Sequence, residues 1–209
     1  SCYFELSYNK EIFNNNTKKI DNTNLKNKDI IRIAFYGRIF TERRAVELAL
    51  EGMEELVQKN YNICLELFGV EKNVIKIPES IEGIDNGILS PYELAKLYSV
   101  CDIGIALSAT NYSLVPPEMM ASCLPVLELS TESNKLIYPK NVVKFADATP
   151  KGISNAINEL IENDNERNLI IKNAYDWVSN SSWEKGFKKV EAFIKSEVQE
   201  SIKNININQ

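Results

Sequence analysis

A doubly wound α/β fold, a parallel sheet covered by helices on both faces, is what this sequence predicts, on three observations. Short runs rich in β-branched and aromatic residues alternate with longer segments whose apolar residues recur at helical spacing. The strand-like runs are apolar on both faces, as strands buried between two helical layers must be. Gly37, Ser90-Pro91 and Thr149-Pro150 stand where one kind of segment gives way to the other. A chain of 209 residues, 44% of them apolar, is long enough for one large domain with its own core.

Residues 1–13 carry Tyr3, Phe4, Leu6, Tyr8, Ile12 and Phe13 and read as a strand and turn packed on another surface. Residues 14–28 are polar and of low complexity, with little to bury, and mark a boundary. The expected organisation is a connection and linker over 1–28, a ligand-binding domain over 29–202, and a frayed tail over 203–209. The run 30–36 is a strand ending at Gly37, and Ala45, Leu48, Ala49, Met53, Leu56 and Val57 then share one helical face. Residues 62–68 form a second strand, and 73–77 a short third. Ser90-Pro91-Tyr92-Glu93 is a capping box with proline at the first helical position, and Leu94, Leu97 and Tyr98 face inward behind it. Strands follow at 102–107, 125–129 and 141–146. Thr149-Pro150 opens a helix whose Ile153, Ala156, Ile157, Leu160 and Ile161 form a core stripe. Helices over 165–179 and 182–202 complete the chain, the last anchored in the core by Trp183, Phe187, Val190 and Ile194.

Composition excludes several functions. The net charge of −5 argues against a general nucleic-acid binder. There is no histidine, so Ser-His-Asp and Cys-His catalysis and histidine zinc ligation are excluded within this chain. No Asp-X-Asp triplet is present to hold a divalent ion against a diphosphate. Cys2, Cys64, Cys101 and Cys123 lack C-x-x-C spacing, which fits a reducing, cytoplasmic setting. No run reaches the length of a transmembrane span, no signal peptide is evident, and the start at Ser1 suggests a piece of a longer protein.

In doubly wound sheets ligands bind beyond the carboxyl ends of the strands. The Gly37–Arg43 turn, the loop after Phe68, the loop before Ser90 and the 110–118 loop all leave from such ends. Pro116 and Pro117 suit the first turn of a short helix that also carries Glu118. A helix N-terminus attracts anions, and a carboxylate there accepts hydrogen bonds from a sugar diol, so one element could take both the diphosphate and the ribose of a nucleotide. The plainer alternatives are that Glu118 only complements the helix dipole and that Arg38 and Arg43 form a solvated basic turn. A phosphorylated receiver domain would need clustered acids where Gly37-Arg38 stands.

Three segments carry a resemblance. Phe35-Tyr-Gly-Arg-Ile-Phe-Thr-Glu-Arg43 is similar to the Gly-Arg-x-x-x-x-Lys segment of GT-B glycosyltransferases, especially glycosyltransferase family 4. Gly87 to Ile105 resembles that family's segment with Glu-Leu-x-x-Leu-Tyr, and Leu114-Val-Pro-Pro-Glu-Met-Met-Ala-Ser-Cys-Leu-Pro-Val126 resembles its Leu-x-Pro-x-Glu-x-Met-Ala-x-Gly-x-Pro-Val block. The resemblance spans residues 30–148 and covers only the C-terminal, donor-binding, Rossmann-like half of a GT-B enzyme. It implies that Arg38 and Arg43 meet the donor diphosphate and stabilise the leaving group, with no metal or other cofactor. It implies that Glu118 binds the ribose hydroxyls, that Gly69 and Leu89 frame the base, and that Gly37, Thr110, Leu114 and Val115 line the donor site. It also implies a retaining transfer to a glycan acceptor held by an absent N-terminal half, an isolated half that turns over little, and peripheral contact of the full-length protein with the inner membrane face. Three departures stand out. Thr110 occupies the place of the family's first glutamate, Arg44 that of the Gly after the Lys, and Cys123 that of the turn Gly. Pro116–Met119 and Asn134-Lys135-Leu136 are similar to segments of bacterial surface-polysaccharide rhamnosyltransferases, which implies rhamnose as the donor sugar. The competing reading is a non-catalytic Rossmann-like module that serves as a scaffold or binds a partner in a polysaccharide assembly protein.

Overall fold

The computed structural model describes residues 7–14, 24–39, 41–110 and 113–207. Six parallel strands form one sheet in the order β3-β2-β1-β4-β5-β6. These are β1 (Ile31–Tyr36), β2 (Ile63–Phe68), β3 (Glu82–Asp85), β4 (Ile103–Ile105), β5 (Val126–Leu129) and β6 (Lys144–Ala146). The order reverses direction between β1 and β4, and the carboxyl ends of those two strands are where a doubly wound sheet binds its ligand. Helices α1 (Val46–Gln58) and α5 (Pro150–Glu162) cover one face, and α2 (Pro91–Val100), α3 (Val115–Ala121) and α6 (Asp164–Ser179) cover the other. The remaining helices are α4 (Glu132–Ile137) and α7 (Trp183–Ile207).

Local chemistry explains these elements. Every residue of β2 and β5 is buried, and β1 is nearly so, because each lies between two helical layers. The capping box of α2 is complete: the Glu93 backbone N–H donates to Ser90 Oγ, and the Ser90 N–H donates to Glu93 Oε2 at 2.8 Å. Thr149 caps α5 by accepting from the Gly152 N–H at 3.0 Å. One core cluster joins β1, β2 and β4 to α1 and α5. A second joins the other face to α2, α3 and α6 and takes in Tyr8 and Phe13. Residues 7–14 thus lie on this domain, where Lys10 Nζ donates to the Ser179 carbonyl at 2.8 Å. Cys64, Cys101 and Cys123 are buried and form no disulfide among the described residues.

Three expectations are corrected. Residues 73–77 are not a strand: Asn73 adopts φ +65°, and Ile75 turns down onto the core as a plug. The third strand is Glu82–Asp85, an exposed edge whose composition carries no apolar signal. The stripe of α7 is not core, since Trp183 is 37% and Phe187 65% exposed and Ile194 is exposed as well. Helical periodicity establishes an apolar face but does not say that this domain covers it. Helix α7 also runs to Ile207, beyond the end expected at 202.

Candidate functional site

All strands point the same way, so the expected site residues emerge on one edge of the sheet. Gly37 ends β1 and donates its N–H to the Phe68 carbonyl at 2.9 Å. A Cβ there would come within 2.4 Å of Leu67 Cδ1 and 2.8 Å of Ile75 Cδ1, so a larger residue would have to push those two side-chain ends aside. The chain then makes a 3-10 turn over Glu42–Arg44, closed by Thr41 Oγ1 on the Arg38 carbonyl at 3.0 Å. Arg38 is exposed and Arg43 half-buried, and no acid pairs with either among the described residues. Burial leaves Arg43 Nε without a partner among them.

Gly69 ends β2 at φ +98°, where a Cβ would strike the Tyr36 ring, and its N–H reaches the Gly87 carbonyl at 2.9 Å. Leu89 lies beyond Gly87, half-buried against the second core cluster. The ends of β1, β2 and β3 are therefore stitched into one rim. The β4 loop joins it, because the Ala109 N–H donates to the Arg43 carbonyl at 2.8 Å. Thr110 and Leu114 are exposed on that loop, Val115 is half-buried at the start of α3, and residues 111–112 lie outside the described residues.

Helix α3 alters the expected anion site. Pro116 and Pro117 have no N–H, and the Glu118 N–H is taken by the Leu114 carbonyl at 3.1 Å. Of the first three helical positions only Val115 has a backbone N–H at all. The helix start is therefore a poor phosphate cradle, with few backbone N–H groups to offer an anion. Glu118 is half-buried, and burial alone pushes its carboxyl up to about 7. Behind it lies Tyr98, fully buried, whose hydroxyl has no partner among the described residues. Burial first, and then the charge of Glu118, hold that hydroxyl well above its usual pKa. The Tyr98 ring meets Phe68 edge-on at 5.8 Å, and Phe68 packs on Tyr36 at 5.6 Å, an aromatic floor beneath the rim.

Residues 31–158 match the family described as WsaF, C-terminal domain. The chain belongs to that family. It has the fold of the C-terminal domain of GT-B glycosyltransferases. It superposes on sucrose-phosphate synthase from Thermosynechococcus elongatus with a TM-score of 0.69 at 17% identity, covering 92% of this chain and 51% of that one. The C-terminal domain of a glycosyl transferase group 1 family protein from Francisella tularensis matches with a TM-score of 0.65 at 17% identity, covering 84% of this chain and 98% of that domain. The O-antigen biosynthesis protein RfbC of Myxococcus xanthus is 28% identical over 159 residues, or 74% of this chain, which spans only 12% of the length of RfbC.

Several side chains of this family member carry no signal in the sequence, or a faint one. Arg44 is 2% exposed, lies 5.2 Å over the Tyr36 ring and donates from Nη1 to the Leu107 carbonyl at 3.2 Å. Burial pulls its pKa down, while Tyr36 and Glu128 push it up. The left-handed residue of this turn is Ala45, at φ +47°. Glu128 on β5 is 1% exposed and is pushed up to about 8 by burial, against the pull of the Leu129 and Ser108 N–H groups and of Arg44. One signal was available, an acid inside an otherwise apolar strand. Cys123 does adopt φ +57°, so the expected turn is made there without glycine. Among the described residues no group of three or more His, Cys, Asp or Glu side chains could hold a metal ion, and no helix is long and apolar enough to cross a membrane.

Proposed function

We propose that this chain is the donor-nucleotide-binding domain of a glycosyltransferase that builds a bacterial surface glycan. One observation carries the reading. Two arginines on the turn after β1 and a half-buried carboxyl on the helix after β4, none of them paired among the described residues, stand beyond the carboxyl ends of adjacent parallel strands. Arg38 and Arg43 bind the diphosphate of a nucleoside-diphosphate sugar and stabilise the charge that develops on it as it leaves. Glu118 accepts the ribose hydroxyls, Gly69 and Leu89 frame the base, and Gly37, Thr110, Leu114 and Val115 line the rest of the donor. The match to an O-antigen biosynthesis protein supports a surface-polysaccharide product. Rhamnose is the proposed sugar, transferred with retention. A deoxysugar has one hydroxyl fewer, which suits the threonine at position 110. The acceptor glycan is held by a second domain outside this chain, at the cytoplasmic face of the membrane, and this domain alone binds donor but turns over little.

The sparse N–H supply at the start of α3 favours a second reading, a Rossmann-like module that has lost the donor and serves as a scaffold. Calorimetric titration with UDP, GDP and dTDP separates the two. Saturable binding of one of them, lost in Arg38→Ala, supports the donor domain. Binding of none by a folded protein supports the scaffold.

A further inference from the structure

The loop that carries Thr110 and leads to Glu118 leaves the sheet at Ile105, and its root is held in an unusual way. The last direct bond between β4 and β5 is a long one, from the Ala106 N–H to the Leu127 carbonyl at 3.3 Å. Beyond it the two strand ends are bridged by side chains. Glu128 Oε1 accepts from the Ser108 N–H at 2.5 Å and from the Leu129 N–H at 2.9 Å. Asn134 Nδ2 donates to the Ser108 carbonyl at 2.8 Å and to the Leu129 carbonyl at 2.9 Å. The Glu128 carboxyl oxygen thus stands in for a carbonyl and the Asn134 amide for an N–H, so the ladder continues with a side chain inserted at each rung. Both bridging residues are 1% exposed or less. Arg44 Nη1 holds the Leu107 carbonyl from the other side, and the Arg43 carbonyl holds the Ala109 N–H.

From this we infer that Glu128 and Asn134 are positioning residues for the donor site, setting where Thr110 and Glu118 stand relative to Arg38 and Arg43 without touching the donor. The inference rests on the donor-binding reading of the site. A sheet that closed directly would draw Ser108 toward Leu129 and away from β1. Inserted side chains hold the strands apart, while Arg44 and Arg43 tie the loop to the β1 turn. Asn134 uses its amide donors on the two carbonyls, whereas its Oδ1 has no partner among the described residues. The site therefore requires the N–H groups, and aspartate would set a lone pair against two carbonyl oxygens.

The test is a double-mutant cycle read by calorimetric titration with whichever of UDP, GDP and dTDP the unsubstituted protein binds. Asn134→Asp and Glu128→Met, which removes the acceptor oxygen at similar length, are each placed in the wild-type and Glu118→Ala backgrounds. If these residues act through the placement of Glu118, Asn134→Asp weakens binding about tenfold alone and less than about twofold when Glu118 is already gone. Equal losses in both backgrounds, or no loss from either Asn134→Asp or Glu128→Met in folded protein, overturn the inference while leaving the donor reading intact. Should the unsubstituted protein bind none of the three nucleotides, the donor reading fails and the positioning role falls with it.

Discussion

Asp102, beside the amino end of β4, accepts from Lys28 Nζ at 2.6 Å and from the Arg32 N–H at 2.8 Å. Arg32 in turn reaches the buried Glu66 at 2.7 Å, and Glu66 takes a further bond from Asn86 Nδ2 at 2.9 Å. At the opposite edge of the same sheet, Arg38 and Arg43 meet no acid among the described residues, and the Glu118 carboxyl sits half-buried without a cation. Buried charge is costly to leave uncompensated. A chain that pairs its charges toward one end and leaves them apart at the other has a structural use for the first set and, if the domain binds a nucleotide donor, a ligand for the second.

The contrast can be broken from either side. Asp102→Ala leaves Lys28 and the Arg32 N–H unpaired and should lower stability by about 2–3 kcal/mol in urea denaturation, with nucleotide affinity unchanged. Arg38→Ala should do the reverse. Stability should stay within about 0.5 kcal/mol, because the side chain is exposed, while diphosphate binding weakens by about 1.5–2 kcal/mol. Glu118 makes a pH-dependent prediction. Ribose hydroxyls donate to the ionised carboxylate, so affinity should fall about tenfold per pH unit below about 7, and Glu118→Gln should bind weakly at all pH values with that slope abolished. For stability the sign is opposite to that of a salt-bridged acid. The folded value of about 7 lies above the ordinary 4.5, so the native state holds the extra proton between them and Glu118 costs stability as pH rises through that window. Glu118→Gln should therefore gain stability relative to wild type between about pH 5 and about pH 8. The smallest effect is expected at Ala45, where glycine relieves a left-handed backbone and should raise stability by up to about 1 kcal/mol.

Much of this arrangement was legible in the sequence because it is written in local chemistry. Ser90 and Glu93, Thr149, and the alternation of apolar runs each specify their own element, and the elements in order specify the parallel sheet. The segments around Gly37, Leu89 and Glu118 could be placed on one edge because parallel strands end on one side. What escaped depends on partners far apart in the chain. Arg44 finds Leu107, and Asn134 finds Ser108, only after the sheet has formed. Ile75 looked like part of a strand because a plug and a strand bury the same residue types, and β3 went unseen because an exposed edge need not be apolar. For α7 the apolar period was right and the inference of burial was wrong, since period is a property of the helix and burial of its neighbours.

The separation of paired from unpaired charge is most directly tested by titrating Glu118→Ala and Asp102→Ala side by side with the nucleoside diphosphate that the wild type binds. Binding weakened about tenfold or more in Glu118→Ala, with full affinity in folded Asp102→Ala, is the predicted result. Equal affinity in the two would contradict it and would make Glu118 one more acid at a helix start.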